Sequence, residues 1–346
     1  MFRPLKVVHV GCGSMAANWL RIAAAHAGLG LAGLVDIDTG AARRRQAEFA
    51  PEAEVDSDLA AILRRTRPEI VFNCTGPAAH HAVTMTALQQ GCHVLSEKPL
   101  ANTAAEARDI IAAAHKADRL VAVTQNRRYT RSIRRVRALL ESGSIGGLTE
   151  VALDFYLGAH FGGFRDEMSH VLLLDMAIHH FDMARFVTGA EALSVFCHEW
   201  NPRGSWYRHG ANAHALFELT GGAVFSYRGS WCAEGHGTTW GGSWRIVGTQ
   251  GTLRWDGEEN ASGESITLET VLKTGGFRSD LSRTSSPSPA CPGWDDGHGS
   301  LVAEFVDCVR EGRVPRTNAD DNFRSLSMVF GALESAESNR RVMIST

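Results

Sequence analysis

The chain has 346 residues, 44% hydrophobic and 21% charged, enough for two domains with separate cores and incompatible with a disordered or collagen-like chain. Lys and Arg number 35 against 38 Asp and Glu, a formal charge of -3, so no overall positive charge is present to hold a phosphate backbone, and nucleic acid is not an expected partner. No apolar run approaches the ~18 residues of a bilayer span, and the seven scattered cysteines (Cys12, Cys74, Cys92, Cys197, Cys232, Cys291 and Cys308) include no C-x-x-C pair, so reduced thiols, no membrane span, no signal peptide and a cytoplasmic location are expected.

Up to about residue 125, β-branched runs alternate with alanine-rich helical stretches, the form of a parallel sheet covered by helices. Strands are expected at 6–10, 31–36, 70–74, 93–96 and 120–124. A helix opens at Thr103, with Glu106 three residues later in capping-box spacing. From about Thr149 the pattern changes to strand runs at 149–156, 194–200, 213–219 and 223–231 separated by Gly-rich turns, which predicts an antiparallel sheet. A long helix over 169–187 interrupts it, helices near 301–311 and 322–338 close the chain, and the Gly, Ser, Pro and Asp run at 274–299 reads as a surface loop. The expected class is α/β: a doubly wound parallel sheet in a dinucleotide-binding domain (1–125), then an α+β domain (126–346) with a mostly antiparallel sheet, its closing helix free to return to the first domain.

Where the first strand turns into the first helix, the sequence reads Gly11-Cys12-Gly13-Ser14-Met15-Ala16, a G-x-G-x-x-A pattern. Gly11 permits the tight turn, Gly13 lets backbone approach a pyrophosphate, and Ala16 permits close helix packing, while the helix N-terminus offers N–H donors. Asp36 ends the second strand 20 residues after Ala16, where a carboxylate can accept from an adenosine ribose; capping of the next helix is the competing role. A carboxylate there repels a 2′-phosphate, which favours NAD, although Arg43, Arg44 and Arg45 leave NADP open.

Two further groups could carry chemistry. Glu97-Lys98-Pro99 follows the 93–96 strand at the sheet edge where open α/β folds bind ligands. In the long helix, Asp175, His179 and Asp182 fall on one face at 3.6 residues per turn, inside otherwise apolar surroundings. That stripe reads either as a buried Asp-His network or as an acid/base pair. Metal ligation by Asp175 and His179 with His170 or His180 has compatible spacing, but no H-E-x-x-H or thiolate pair accompanies it, and no metal is expected.

Taken together these motifs resemble the Gfo/Idh/MocA family of NAD(P)-dependent oxidoreductases. The resemblance runs from Gly11 through Glu97-Lys98-Pro99 and Asp175-x-x-x-His179 to Gly248-Thr249-x-Gly251 and Gly312-x-x-Pro315. Asn126-Arg127-Arg128-Tyr129 and Ser144-Ile145-Gly146-Gly147 also sit where that family carries an Asn-x-Arg segment and an Ile-Gly turn. The resemblance implies a Rossmann domain followed by a large open sheet whose outer face forms homodimers or homotetramers. It further implies Lys98, Asp175 and His179 as the catalytic group. Cofactor contacts would come from Gly11 to Ala16, Asp36, Thr75, Gly76, Pro77, His80, Glu97, Lys98 and Asn126. Substrate contacts would come from Lys98, Arg127, Tyr129, His160, Arg165, His170, Asp175 and His179. Thr75-Gly76-Pro77 stands where members often read Thr-Pro, Ser169-His170-Val171 replaces a Gly-rich run, and Ala177 replaces a glycine, changes that bear on which substrate fits.

The implied reaction moves hydride between a nicotinamide and a secondary hydroxyl or ketone of a small cyclic polyol, such as a sugar, inositol or anhydrosugar, with His179 as acid/base. The rivals are an NAD-dependent glycosidase, a non-catalytic dinucleotide-binding regulator, and an interaction module on the basic stretch around Arg127, Arg128, Arg131, Arg134, Arg135 and Arg137, which otherwise reads as a solvated helix face.

Overall fold

The computed structural model describes residues 3–259, 266–274, 279–285 and 297–345. The chain divides into two compact units, Met1–Asn126 with Asp296–Phe323, and Arg127–Asp295 with Arg324–Thr346. Among the described residues no helix is long and apolar enough to cross a membrane.

In the first unit the order is β1 (Leu5–Val10), α1 (Ala16–Ala25), β2 (Leu29–Val35), α2 (Thr39–Phe49), β3 (Glu54–Asp56), α3 (Leu59–Thr66), β4 (Ile70–Asn73), α4 (His80–Gln89), β5 (His93–Ser96), α5 (Ala104–Ala117) and β6 (Val121–Val123). The six strands are parallel in the order β3-β2-β1-β4-β5-β6. β4 is buried at every residue, as helices on both faces of a parallel sheet require. The chain order reverses between β1 and β4, which opens a crevice at their C-terminal ends. The strand absent from the sequence reading, β3, is three residues at the sheet edge, too short to show a β-branched run.

Local caps fix where most of these helices begin. Asp38, Asp58 and Thr103 accept backbone N–H groups at 2.8, 3.0 and 3.1 Å at the starts of α2, α3 and α5. Glu106 completes the α5 cap by accepting from Asn102 N at 3.1 Å, one residue upstream of the expected partner. Helices α1 and α4 differ: no side chain caps either, and neither first turn holds an acidic residue.

The second unit is built on α6 (Arg131–Glu141), β7 (Leu148–Tyr156), a π-helical turn (Leu172–Ala177), α7 (Ile178–Thr188), β8 (Ala192–Trp200), β9 (Asn212–Leu219), β10 (Val224–Ser230), β11 (Ser243–Gly248), β12 (Gly251–Trp255), β13 (Ile266–Lys273) and β14 (Asp280–Ser285). The chain then forms α8 (Gly297–Glu311), α9 (Ala319–Ser338) and β15 (Val342–Met343). The nine-stranded sheet runs β14-β13-β12-β11-β7-β10-β9-β8-β15 and is antiparallel except for the parallel β10–β7 pair. Alternation is clear in β9, where Ala213, Ala215, Phe217 and Leu219 are buried and Leu216 and Glu218 are exposed. Phe181 of α7 packs edge-on against Phe217 and Tyr227 at 4.8 and 5.3 Å, closing the core over one sheet face.

Residues 296–323 cluster with the first unit, although the sequence reading drew the second domain as 126–346. Helix α8 packs on α1, Arg310 donates to Gly28 O at 3.1 Å, and Val123 N donates to Thr317 O at 2.9 Å. The loop expected over 274–299 also differs, because 280–285 pairs with β13 and a helix starts at Gly297. The rest of that stretch, Cys291 included, lies outside the described residues, and the other six cysteines are free.

Two buried histidines make stability depend on pH. Burial pushes His9 down to about 4 and His180 down to about 3. Both are neutral when folded and titrate near 6.5 when unfolded, so the unfolded chain takes up more protons below that value. Their contribution is complete above pH 6.5 and is lost as pH falls toward 4, by up to about 1.4 kcal/mol per pH unit for each group. The urea midpoint is expected to drop between pH 6.5 and 4.5 and to drop less in His9→Gln; parallel pH profiles for the two proteins would refute this.

Candidate functional site

The glycine turn of the first unit is set by contact. Gly11 has φ +92°, and a Cβ there would lie 2.4 Å from Cys74 O, so glycine alone fits between β1 and the loop after β4. At Gly13 an added Cβ meets nothing within 4 Å. Gly11, Gly13, Asp36, Thr75 and Gly76 line a cavity of about 410 Å³ at the crevice between β1 and β4.

Asp36 at the end of β2 accepts from Cys12 N at 2.6 Å and from Asp38 N at 2.8 Å. The helix-capping role weighed for it belongs instead to Asp38. Burial pushes the Cys12 thiol up to about 12, so this residue contributes its backbone and not a thiolate. Arg45 reaches the same turn, donating to Gly13 O at 3.2 Å, while Arg44 pairs with Asp38 at 3.5 Å.

The turns after β4 and β5 are tied together by His80, which is fully buried. Its Nδ1 lies 2.7 Å from Pro99 O and its Nε2 3.0 Å from Thr75 O. Glu97 accepts from Trp19 Nε1 at 2.8 Å and from Lys98 N at 3.2 Å, so its carboxylate is spent on bracing the Lys98 turn. The Lys98–Pro99 peptide is cis. Asn126 Nδ2 lies 3.3 Å from His298 Nδ1.

In the second unit the regular helix expected over 169–187 is broken by the π-helical turn, which carries Asp175 and packs over β9 and β10. The single polar stripe of Asp175, His179 and Asp182 is therefore divided between different partners. Asp175 accepts from Arg165 Nε at 2.7 Å. Asp182 is 1% exposed and accepts from Arg128 Nε and Nη2 at 2.7 and 2.5 Å and from Ser325 Oγ at 2.6 Å. His179, half-buried, follows the π turn at the start of α7. His180 is fully buried, with Nε2 3.2 Å from Trp240 O. Among the described residues no group of three or more His, Cys, Asp or Glu is arranged to hold a metal.

The remaining expected substrate residues have varied surroundings. Arg127 is pushed down to about 10 by burial and stays cationic at neutral pH. Tyr129 is 1% exposed and has almost no surface to offer a ligand. His160 is exposed, stacks on Trp206 at 3.7 Å and lies 2.8 Å from Glu234 Oε1. His170 adopts φ +55°, pairs through Nδ1 with Glu199 and sits 3.6 Å from Glu337; the Glu199 bond raises its pKa. Sequence reasoning missed the rings around Arg165, whose guanidinium lies 4.9 Å from the Phe161 ring and 4.8 Å from the Phe164 ring. Phe161-Gly162-Gly163-Phe164-Arg165, two aromatics beside an arginine, was the available signal.

Residues 5–125 match the family described as "Oxidoreductase family, NAD-binding Rossmann fold", and residues 133–254 match the GFO/IDH/MocA C-terminal domain. The chain belongs to the Gfo/Idh/MocA family. It is an NAD(P)-dependent oxidoreductase with NAD as its cofactor. It is 27% identical over 351 residues to D-apiose dehydrogenase of Rhizobium rhizogenes, covering 98% of this chain and 97% of that protein. It is 24% identical over 311 residues to the NADP(+) scyllo-inositol 2-dehydrogenase IolW of Bacillus subtilis, covering 85% of this chain and 84% of that one. A solved oxidoreductase from Agrobacterium radiobacter, in complex with NAD+, L-tartaric acid and magnesium, shares the fold with TM-score 0.84 and 23% identity over 98% of each chain.

The residues of this Gfo/Idh/MocA chain fit a dinucleotide. Open space over Gly13, the uncapped start of α1 and the Asp36 carboxylate at the β2 end form a cradle with room for the adenosine end and its phosphates. Gly13→Val is expected to keep the wild-type melting temperature and weaken NAD binding at least about tenfold, because the added atoms fill ligand space alone. Gly11→Val, by contrast, is expected to destabilise the first unit. Calorimetric NAD titration with a thermal melt separates them; unchanged NAD affinity in Gly13→Val would refute the placement.

Proposed function

We propose that the protein oxidises a secondary hydroxyl, or reduces the matching ketone, of a small cyclic polyol such as a sugar, an inositol or an anhydrosugar. The observation that carries the reading is the pairing, in one Gfo/Idh/MocA chain, of the Gly13–Asp36 cradle with Lys98 at the end of β5 and Asp175-x-x-x-His179 on and after the π turn. The D-apiose and scyllo-inositol dehydrogenases among its relatives support the substrate class.

Gly11 to Ala16 and Asp36 hold the cofactor, with Thr75, Gly76, Pro77, His80, Glu97, Lys98 and Asn126 completing or bracing its seat. When bound, the nicotinamide supplies the acceptor for the hydride that leaves the carbinol carbon. His179 takes the hydroxyl proton, since an imidazole changes charge nearest neutral pH. Lys98 offsets the negative charge that develops on the substrate oxygen. Asp175, itself anchored by Arg165, orients the reacting group. Asp36 disfavours a 2′-phosphate, so NAD is preferred over NADP, although Arg45 stands at the same turn. Homodimers or homotetramers would use the open face of the large sheet, where the cross-strand pair Phe196 and Leu216 is 43% and 51% exposed. The six free cysteines suit a reducing, cytoplasmic setting.

The test is absorbance at the NADH band with NAD or NADP and a panel of inositols, aldoses, anhydrosugars and keto-sugars, run in both directions. NADH formation or consumption with a cyclic polyol is expected. Silence across the panel with NADH binding intact would move the reading to a glycosidase or a regulator.

A further inference from the structure

His170 leads into the π turn that carries Asp175, and it does so from a backbone conformation that suits glycine better than histidine. Its φ of +55° lies in the left-handed region, which costs a residue with a Cβ free energy that glycine is spared. Its carbonyl accepts from Leu174 N at 3.0 Å, one residue before Asp175, so the position of the His170 backbone bears on how the turn starts. His179 follows directly after that turn, in the first residues of α7.

The imidazole of His170 is set between two carboxylates. Nδ1 pairs with Glu199 at the end of β8, and Nε2 lies 3.6 Å from Glu337 of α9. Among the described residues these are the charged groups that face the ring. Both nitrogens thus meet acceptors, which a neutral imidazole with one N–H cannot serve at once. The Glu337 side chain is 69% exposed and adds little, whereas that of Glu199 is 8% exposed. Glu199 has a slot of its own. A Cβ on Gly210 would lie 2.6 Å from Glu199 Cγ, so glycine leaves room for it, and Glu199 Oε1 is buried with no hydrogen-bond partner among the described residues. A carboxylate so placed needs its cation, and the pair offsets the cost of the His170 backbone.

We propose that His170, clamped by Glu199, is a positioning residue that fixes the start of the π turn and with it the placing of Asp175 and His179. The clamp is an imidazolium–carboxylate pair, closed while His170 holds its proton and open once the proton leaves. The Glu199 bond raises the point of loss above the ordinary 6.5. The pair is therefore complete below about pH 6.5 and is lost as pH rises through the folded value. This role differs from the substrate contact that the sequence reading gave His170. The inference rests on the dehydrogenase reading above and adds a positioning residue to that same site.

The test follows two histidine resonances and one rate. In histidine-labelled holoenzyme with NADH, the His170 signal is expected to titrate above pH 6.5, and the His179 signal to shift at that same midpoint in addition to its own titration. In Glu199→Gln, which keeps the size of the side chain without its charge, both events are expected to move down by about 0.5 pH or more. In His170→Asn, whose side chain tolerates the left-handed region, the added His179 shift is expected to vanish. With a cyclic polyol that the wild type turns over, wild-type kcat is expected to exceed that of His170→Asn about tenfold below the His170 midpoint, with KM within about threefold, and the two rates to converge above it. An ion pair that served stability alone would leave that ratio flat across pH. If the His179 signal does not respond to His170, or if the rate ratio is flat, the proposal fails. If His170→Asn does not fold, Glu199→Gln decides, and an unmoved His179 midpoint there overturns the clamp. Absence of NADH turnover with every polyol overturns the dehydrogenase reading, whereas the His179 response still decides the clamp.

Discussion

Lys98→Ala is expected to lower kcat on the order of 100-fold or more, with the melting temperature unchanged and NAD affinity within about threefold of wild type. The turn that presents Lys98 is held by several contacts other than its side chain. Glu97 is fixed by Trp19 Nε1 at 2.8 Å, Lys98 contributes its backbone N–H to Glu97, and Pro99 O is held by His80 at 2.7 Å. On the proposed mechanism, truncation removes charge beside the substrate oxygen while these contacts remain. Lys98→Arg is expected to restore little, because a forked guanidinium does not replace a compact ammonium at one oxygen. Steady-state rates together with a fluorescence titration of NADH separate chemistry from binding. Near-normal kcat in a folded, cofactor-binding Lys98→Ala protein would remove Lys98 from the reaction.

Asp182→Ala carries the largest expected loss of stability, about 3–5 kcal/mol, read as a fall of roughly 10 °C in melting temperature. The carboxylate is buried with a fork-to-fork bond to Arg128, and the two side chains are 1% and 6% exposed. Ser325 adds a third bond at 2.6 Å and itself accepts from Arg185 at 2.7 Å; Arg185 then pairs with Glu191. Removing the anion leaves a guanidinium buried with its partner gone, which costs far more than the pair itself contributes. The double variant Arg128→Met with Asp182→Leu is expected to recover most of the loss, because an apolar pair of similar volume leaves no stranded charge. A melting temperature within 2 °C of wild type, on the order of 1 kcal/mol or less, in Asp182→Ala would show that water reaches the site.

These two residues also show what the sequence could and could not reveal. The turn that carries Lys98 was legible because its setting is local: a short apolar strand, a charged pair and a proline at the sheet edge. Gly11 and Gly13 were legible for the same reason, since strand, turn and helix follow within a few residues. Asp182 was picked out as part of a buried polar stripe, but its partners were not, because they lie 54 and 143 residues away and nothing in its own helix announces them. The π turn was hidden too, since the apolar run Leu172-Leu173-Leu174 is compatible with either a regular or a widened helix. The mostly antiparallel character of the second sheet was legible, but its strand order, with β10 parallel to β7, depends on long-range pairing and not on residue type.

A dinucleotide seated at the uncapped start of α1 would tie the protein's lifetime to nucleotide supply. Helices α2, α3 and α5 begin on their own side chains, whereas α1 and α4 do not, and of these two it is α1 that follows the glycine turn. A dinucleotide present at 100 times its dissociation constant adds about 2.7 kcal/mol to the folded state. Chains that have met it open less often and reach proteases less often. With the cofactor seated at that turn, abundance of the enzyme is expected to follow abundance of its redox partner.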